Sequence, residues 1–324
     1  MMDLYPLKFQ PILKERIWGG NKLKALFNKQ SNIEYVGESW ELSDVEGDTS
    51  IVANGSLQGK SLKDLLVEYK EELVGNKIYS QFGNTFPLLI KFIDAREDLS
   101  IQLHPNDQLA KERHNSFGKT EMWYVMNAEQ DANLIVDFKS GVTVDDYLDS
   151  LKNKTLPKIL NFEKVKKGDT YFIEVGRVHA IGAGVLLAEI QQTSDITYRI
   201  YDWDRVDANG NSRELHVELA IDAIDFNMDK DYKVSYSKVE NKTNPMVSCP
   251  YFTTGFLPVT ETISKTNEQD SFLIYICVNG SVIISGNGVE TPLKMGETVL
   301  VPVSVKDITI LPEEPSELLE VYIT

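Results

Sequence analysis

The chain has 324 residues, of which 33 are basic and 49 acidic, giving a formal net charge of −16. That charge argues against nonspecific binding to a nucleic-acid backbone, and no Lys/Arg-rich run indicates a nucleic-acid or membrane patch. It leaves room for a small phosphorylated ligand in a locally basic pocket, and the length predicts two domains or one enlarged domain.

The N-terminal segment MMDLYPLKFQPILKERIWGG contains an early acidic residue and prolines, and it lacks the apolar stretch of a signal peptide. No segment approaches the roughly 18 consecutive apolar residues of a membrane-spanning helix. The two cysteines, Cys249 and Cys277, are too few for a disulfide framework and are not at metal-ligand spacing. The sequence therefore predicts a cytoplasmic protein.

Most apolar runs are short, rich in Val, Ile, Tyr, Phe and Thr, and bounded by Gly, Asn or Asp. Such runs are typical of strands, and their number favours a sandwich or barrel. Helical patterns interrupt them. One is SLKDLLVEYKEELVG, which begins with the N-cap candidate Ser61 and has Gly75 at its end. Three further segments also look helical, namely DQLAKERHN, VDDYLDSLKN and RELHVELAIDAIDF.

Residues 236–246 are polar and turn-rich, and only strand patterns follow them. We therefore predict a domain over 1–240 with helical insertions and a β domain over 241–324. A weak repeat links the two halves, because VKKGDTYFIEVGRVHAI resembles LKMGETVLVPVSVKDIT. All four histidines precede the boundary, so a metal site is expected only in the first half.

In the stretch SIQLHPND, Gln102 and His104 follow an apolar run at positions i and i+2, so they point to one face of a strand. They are either an incidental polar pair or part of a binding site. Further along, a glycine turn, a strand, Gly176 and then His179 resemble the second metal motif of cupins. The first cupin motif supplies two ligands at i and i+2 and then a glutamate, which Gln102, His104 and Glu121 match.

The segments GESWELS, LSIQLHPND, KTEMWYV and HAIGAGVLLAEIQQTSDITYRIYDWDR together resemble the short bacterial form of type I mannose-6-phosphate isomerases, over essentially the whole chain. The resemblance implies a mainly β fold of two cupin-type β-barrels (jelly rolls). The first barrel would carry inserted helices and the metal site, and the second would be degenerate and metal-free. It also implies one Zn²⁺ per chain, although iron, manganese or cobalt suits the same ligands: Gln102, His104, Glu121 and His179.

The implied activity is the interconversion of mannose 6-phosphate and fructose 6-phosphate, with a proton moving between C2 and C1 through an enediol. The partner would then be a small phosphosugar, with no nucleic acid and no membrane, and the chain would be a monomer or a small homo-oligomer. Two alternatives stay open at this point: a different metal-dependent cupin enzyme such as an iron oxygenase, and a non-catalytic cupin that binds sugar phosphates.

The resemblance also implies residue roles around the metal. Arg199 would stabilise the enediolate or the phosphate, Glu189 is the lead candidate for proton transfer, and Asp195 would orient Arg199. Ser100 and Lys119 would contact the phosphate, and Lys119 could also take part in proton transfer. The alternative for the acidic residues is that they are ordinary charges at a strand end.

The chain departs from many relatives at one point, where Gly118-Lys119-Thr120-Glu121 replaces His-Lys-Pro-Glu. This removes any role for a histidine there as an acid or ring-opening group. Of the other histidines, His114 is interpreted as solvated and His216 as a helix-surface or packing residue. Trp18 and GESWELS are interpreted as scaffold or rim.

Overall fold

The computed structural model describes residues 3–206, 209–227 and 231–324, and no helix in these ranges has the length and apolar character to cross a membrane. The helices are α1 Lys22–Phe27, α2 Leu62–Tyr69, α3 Glu71–Val74, α4 Asn76–Phe82, α5 Asp107–His114, α6 Val144–Lys152 and α7 Val217–Ile221, with 3-10 turns at Gly55–Leu57 and Leu156–Ile159. The strands are β1 Leu7–Lys8, β2 Ile12–Gly20, β3 Val36–Leu42, β4 Asp44–Val45, β5 Asp48–Thr49, β6 Leu88–Asp94, β7 Ile101–Leu103, β8 Glu121–Ala128, β9 Asn133–Phe138, β10 Leu160–Lys164, β11 Thr170–Ile173, β12 His179–Ile181, β13 Val185–Gln192, β14 Tyr198–Tyr201, β15 Asn244–Ser248, β16 Thr253–Val259, β17 Ile263–Thr266, β18 Leu273–Asn279, β19 Ser281–Gly286, β20 Val289–Lys294, β21 Thr298–Val301, β22 Asp307–Pro312 and β23 Ser316–Tyr322. The prediction of a mainly β protein is confirmed.

Two sheets form the first half of the molecule. One has six strands in the order β11-β8-β13-β6-β3-β2, and the other has five in the order β10-β9-β12-β7-β14. Alternate side chains of the two sheets meet in one buried cluster, as Trp123 and Leu187 from the first and Val136 and Ile181 from the second show. The two sheets therefore enclose a common interior, into which every second side chain of their strands points.

The second half repeats this arrangement with a six-stranded sheet, β1-β21-β18-β23-β16-β15, and a four-stranded sheet, β17-β22-β19-β20. Its interior is built largely from apolar side chains such as Val282, Ile310 and Leu318. One strand of this half comes from the start of the chain, because β1 pairs with β21 and places Leu7 opposite Leu300. The second half is thus completed by residues that lie far from it in sequence.

The two six-stranded sheets pack against each other through their outer faces. Phe92 and Ile190 from the first sheet share a buried cluster with Ile274 from the second, and the Tyr124 and Phe256 rings stack at a centroid distance of 6.1 Å. Helices α2 to α4 add Leu65 and neighbouring residues to the same cluster. The four sheets therefore form consecutive layers, with α6 and α7 covering the free face of the five-stranded sheet.

The first predicted helix is present, but it is divided. Ser61 caps α2 as expected and forms a capping box with Asp64. Lys70 then adopts φ 48°, which ends α2, and the short α3 follows. Gly75 ends α3 at φ 102°, where a Cβ atom would lie 2.3 Å from the carbonyl oxygen of Asp270. A glycine is required there by both conformation and space.

The predicted helix over residues 213–226 is largely wrong, since only α7, Val217–Ile221, forms. The residues before it run beside β14 instead. The His216 backbone N–H donates to the Arg199 carbonyl at 2.7 Å, and the Arg199 N–H donates to His216 Nδ1 at 3.2 Å. These tertiary hydrogen bonds override the helical pattern, because they use backbone groups that a longer helix would need.

Candidate metal centre and substrate cavity

The register of the five-stranded sheet brings three predicted site residues together. His179 on β12 lies opposite Gln102 on β7, and Arg199 on β14 lies opposite Gln102 on the other side. Residues paired across neighbouring strands point to the same face of a sheet. That face is the interior one, because Ile181, two residues beyond His179, belongs to the interior cluster.

Glu121 approaches these residues from the opposing sheet, where it begins β8 as expected. Its Oε2 atom lies 3.5 Å from His104 Nε2, and its Oε1 atom lies 3.4 Å from His179 Nε2. All three side chains are buried, and one ligand atom from each lies within 4.8 Å of the others. This is the spacing of donor atoms around a shared metal ion.

The second nitrogen of each imidazole is already fixed. His104 Nδ1 lies 2.8 Å from the Ile196 carbonyl, and His179 Nδ1 lies 2.8 Å from the Arg177 carbonyl. Since a carbonyl only accepts, each Nδ1 carries the proton and each Nε2 presents a lone pair. Both Nε2 atoms and both Glu121 oxygens are buried without a hydrogen-bond partner. Four acceptors without a hydrogen bond meet at one point, and the only cation beside them among the described residues is the Lys119 ammonium, 3.3 Å from Glu121 Oε2. Such a group is costly to bury unless a further cation joins it, so the residues fit a divalent metal.

The charge states agree with this interpretation. Burial, reinforced by the charge of Lys119, lowers the pKa of His104 to about 3, and burial also lowers the pKa of His179. Burial alone would raise the pKa of Glu121, but the charge of Lys119 holds it well below its usual range. Neutral imidazoles and an ionised carboxylate are the forms that bind a metal.

Gln102 is half-buried on the same face, and its Oε1 atom accepts from the Ser100 hydroxyl at 3.4 Å. Its position opposite His179 is compatible with a role as a weak fourth ligand. That role stays a prediction, as does the nature of the ion. Carboxylate, imidazole and amide donors suit zinc, and they also suit iron, manganese and cobalt.

A cavity of about 660 Å³ opens beside this cluster. Every predicted site residue outside the three buried candidate ligands lines it, and these residues are Ser100, Gln102, Lys119, Glu189, Asp195 and Arg199. The structure thus collects side chains that span a hundred residues of sequence around one space. The volume is ample for a hexose phosphate, which needs a pocket of roughly 300 Å³ or more.

Lys119 and Glu189 are buried ionisable groups that line the cavity. Lys119 Nζ lies 3.3 Å from Glu121 Oε2. Glu189 is held at both oxygens, since Lys91 donates to Oε1 at 3.1 Å and the Trp123 indole donates to Oε2 at 2.9 Å. Burial, together with the charge of Glu121, raises the pKa of Glu189. A fixed carboxyl group that protonates readily is suited to proton transfer.

The predicted pairing of Asp195 with Arg199 is not among the contacts of the described residues. Asp195 is exposed in the loop before β14. Arg199 Nε instead donates to the Ser100 hydroxyl at 3.2 Å, and its NH1 donates to the Glu214 carbonyl at 3.0 Å. Ser100 and the Glu214 backbone therefore orient the guanidinium in this structure, and Asp195 only lines the cavity.

Sequence reasoning missed an arginine cluster at the same end of the cavity. Arg205 and Arg213 also line it, and both bind Asp202, with Arg205 NH2 to Oδ1 and Arg213 Nε to Oδ2 each at 2.7 Å. Burial and the charge of Arg213 lower the pKa of Arg199. Arg205 and Arg213 share the carboxylate of Asp202, and Arg199 interacts with Asp202 only through its charge, so among these four described residues positive charge is in excess. Arg205 and Arg213 lie in irregular segments, where no periodic pattern marks them.

The opposite wall was also missed, and it corrects the interpretation of GESWELS as scaffold or rim. Glu38 lines the cavity, where Arg16 Nε donates to it at 3.0 Å and the Trp40 indole at 2.6 Å. Lys91 stands 5.2 Å from the Trp40 ring and joins Glu38 to Glu189 electrostatically. One signal was available, since Lys91 is a lone charge inside the otherwise apolar run FPLLIKF.

Gly118 replaces the histidine expected from the resemblance, and its surroundings explain why. A Cβ atom there would lie 2.7 Å from the backbone nitrogen of Asp107, closer than normal contact. The remaining histidines lie outside the cavity lining. His114 Nε2 is 2.9 Å from the Tyr198 hydroxyl, and His216 precedes α7.

A family model of the type I phosphomannose isomerase catalytic domain matches residues 6–140, and one of the mannose-6-phosphate isomerase cupin domain matches residues 241–313. The mannose-6-phosphate isomerase ManA of Bacillus subtilis is 36% identical over 304 residues, 93% of this chain and 94% of that protein. The mannose-6-phosphate isomerase of Streptococcus mutans is 32% identical over 302 residues, 93% of each chain.

The comparison of structures gives the same result and confirms the cupin fold. The crystal structure of the mannose 6-phosphate isomerase from Bacillus subtilis superimposes with a TM-score of 0.89 at 31% identity, covering 99% of this chain and 100% of that one. A variant of the Salmonella typhimurium phosphomannose isomerase has a TM-score of 0.79 at 15% identity, covers 98% and 99% of the two chains, and shows the fold alone. The chain belongs to the type I phosphomannose isomerase family of aldose–ketose isomerases.

Proposed function

We propose that the chain interconverts mannose 6-phosphate and fructose 6-phosphate by proton transfer through an enediol, with one zinc ion per chain. The observation that carries this proposal is the set of orphaned acceptors on His104, Glu121 and His179, which open onto a charged cavity. Gln102 would complete the metal ligands. When bound, the ion supplies an electrophile that polarises an oxygen of the open-chain sugar.

The charges of the cavity orient the substrate. The end formed by Arg199, Arg205 and Arg213 has more positive charge than Asp202 balances, so it would take the dianionic phosphate. Ser100 connects this end to the metal cluster, because its hydroxyl accepts from Arg199 and donates to Gln102. A sugar with its phosphate on the arginines would extend C1 and C2 towards Lys119 and Glu189.

Proton transfer between C2 and C1 needs a group that reaches both carbons from one side of the chain. Glu189 is our lead candidate, since Lys91 and Trp123 fix its orientation. Lys119 is the second candidate and would otherwise stabilise negative charge on the enediolate oxygens. Arg199 would share that stabilisation, and Asp195 would bound the substrate at the exposed side of the cavity.

We also propose that the chain divides near residue 240 into a catalytic half and a C-terminal half, because the four-stranded sheet and most of its six-stranded partner follow that point. A role in mannose metabolism follows from the proposed reaction. A cytoplasmic location is proposed because Cys249 and Cys277 are both free thiols, as is usual in reducing compartments.

One experiment tests the function. The metal content of the purified protein is measured, and the formation of fructose 6-phosphate from mannose 6-phosphate is followed in a coupled assay. We expect about one zinc per chain, and loss of turnover after chelation that zinc restores. Turnover that survives both exhaustive chelation and His179→Ala would overturn the zinc-isomerase proposal, while restoration by iron alone would correct the metal.

A further inference from the structure

Tyr251 links the C-terminal half of the chain to the candidate site. It lies in the turn between β15 and β16, and its hydroxyl donates to Asp107 Oδ2 at 2.8 Å. Asp107 is in the first turn of α5, 144 positions earlier in the sequence. This single hydrogen bond therefore joins a C-terminal hairpin to the insertion that separates His104 from Glu121.

Asp107 also forms hydrogen bonds with the segment that carries Lys119. Its Oδ1 atom accepts from the Gly118 backbone N–H at 2.8 Å and from Gln192 Nε2 at 3.1 Å. Gln192 Oε1 in turn accepts from the Thr120 N–H at 2.9 Å. The backbone is thus held immediately before and immediately after Lys119. Asp107 binds Gly118 directly and orients the Gln192 side chain that binds Thr120, although the Gln192 backbone N–H also donates to the Thr120 carbonyl at 3.2 Å.

The segment has little other freedom. Lys119, Thr120 and Glu121 are 5%, 3% and 0% exposed, and the Gly118 backbone packs closely against Asp107. A change in the position of Asp107 is therefore transmitted to the Lys119 ammonium and the Glu121 carboxylate. In a preorganised site, a displacement of about 1 Å can cost roughly a hundredfold in rate.

We propose that Tyr251, Asp107 and Gln192 form a positioning relay through which the C-terminal half sets the geometry of Lys119 and Glu121. These are positioning residues, because none of them is expected to touch the substrate. The proposal gives the C-terminal half a role in the chemistry beyond support of the fold. Its activity readout depends on the proposed isomerase function, whereas its metal-affinity readout does not.

The test uses the full-length chain. Tyr251→Phe removes one hydroxyl, and we expect kcat to fall roughly three- to tenfold, with KM changed less than about twofold and metal affinity weakened. Asp107→Ala leaves three donors without their acceptor and should be more severe, whereas Asp107→Asn keeps an acceptor and should restore most of the activity. Tyr236→Phe is the matched control: its hydroxyl donates to the Gly168 carbonyl at 2.7 Å, away from this relay, and it should keep the wild-type kcat.

A comparison with the double variant that also carries Lys119→Met makes the test specific. With Lys119→Met in place, Tyr251→Phe should reduce kcat by a smaller factor than in the wild-type background, because one of the two residues that it positions is gone. Wild-type kcat and wild-type metal affinity in Tyr251→Phe would overturn the proposal, as would an equal loss in the Lys119→Met background. If the wild type shows no isomerase activity, the proposed function fails, and the metal affinity of Tyr251→Phe still decides the relay.

Discussion

His179 lies directly opposite Gln102 in the antiparallel pair of β12 and β7, and so a candidate histidine ligand and the candidate amide ligand share one face by backbone register alone. A slip of one residue would turn one of them away from the interior. The metal cluster is therefore specified by strand pairing, and it should respond to each side chain separately.

The first prediction concerns Gln102. Gln102→Leu keeps a similar volume and removes the amide oxygen, so we expect the metal dissociation constant to rise about tenfold or more. His179→Ala should abolish stoichiometric binding. Competition with a chelator, followed by metal analysis, measures both effects.

Gln108→Leu is the control for this change, because Gln108 is an exposed residue of α5 that bonds only with Glu112 among the described contacts. It should bind metal as the wild type does. An unchanged dissociation constant in Gln102→Leu would show that this residue is an incidental neighbour of the site.

The second prediction tests the arginine end of the cavity. Arg213→Gln removes one charged donor from the proposed phosphate site, and a charged hydrogen bond is worth about 1.5 kcal/mol or more, so KM for the phosphosugar should rise about tenfold or more with little change in kcat. The inhibition constant of inorganic phosphate should rise in parallel.

Lys164→Gln removes a positive charge from an exposed pair with Asp131 and serves as the control for net charge. Its KM should equal that of the wild type. If Arg213→Gln left both KM and phosphate inhibition unchanged, the phosphate would have to bind elsewhere, and the Lys91 and Arg16 wall would be tested next.

The third prediction concerns the proton. Glu189→Gln should reduce kcat about a hundredfold or more and should abolish exchange of the C2 hydrogen with solvent, since general acid–base groups contribute factors of about that size. Proton NMR spectroscopy in heavy water measures this exchange directly, as loss of the C2 proton signal. Exchange that persists in Glu189→Gln but disappears in Lys119→Met would reassign the transfer to Lys119.

The fourth prediction is a pH dependence of stability. Burial alone would raise the pKa of Glu38, but Lys91 and Arg16 lower it from 4.5 to about 2. A lowered pKa in the folded state stabilises the fold above the unfolded pKa, and that contribution is lost as the pH falls. Between about pH 5 and pH 2 the wild type should therefore lose up to roughly 3 kcal/mol that Glu38→Gln does not lose.

Urea unfolding of both metal-free proteins at several pH values measures this difference in the free energy of unfolding. The metal is removed beforehand so that protonation of its ligands contributes equally to both. A difference between the two proteins that stays constant from pH 5 to pH 2 would contradict the assigned ion pairs of Glu38.

Much of the metal cluster could be predicted because it depends on local rules. An i, i+2 pair fixes Gln102 and His104 relative to their strand, a glycine turn precedes His179, and Glu121 opens an apolar strand. The rest of the cavity depends on long-range packing. Lys91 and Glu189 are 98 positions apart, and nothing in either segment identifies the other as its partner.

The wrong prediction of a helix over residues 213–226 has a similar origin. The pattern at residues 213–226 has helical spacing, but hydrogen bonds between His216 and Arg199 draw its first part alongside β14. Arg213 enters the cavity as a result. Tertiary contacts thus override the local helix propensity at the segment that brings Arg213 to the cavity. For this reason the sequence predicts neither the correct start of the helix nor the position of the arginine.

The back-to-back packing of the two six-stranded sheets has a consequence for folding. Their shared apolar layer includes Phe92 and Ile274, and β1 crosses to pair with β21, so neither half can separate without exposing a large apolar face. The two halves should then melt in one cooperative transition. A chain cut near residue 240 should aggregate instead of yielding an active fragment. The two halves are therefore distinct in architecture, but neither is expected to fold on its own.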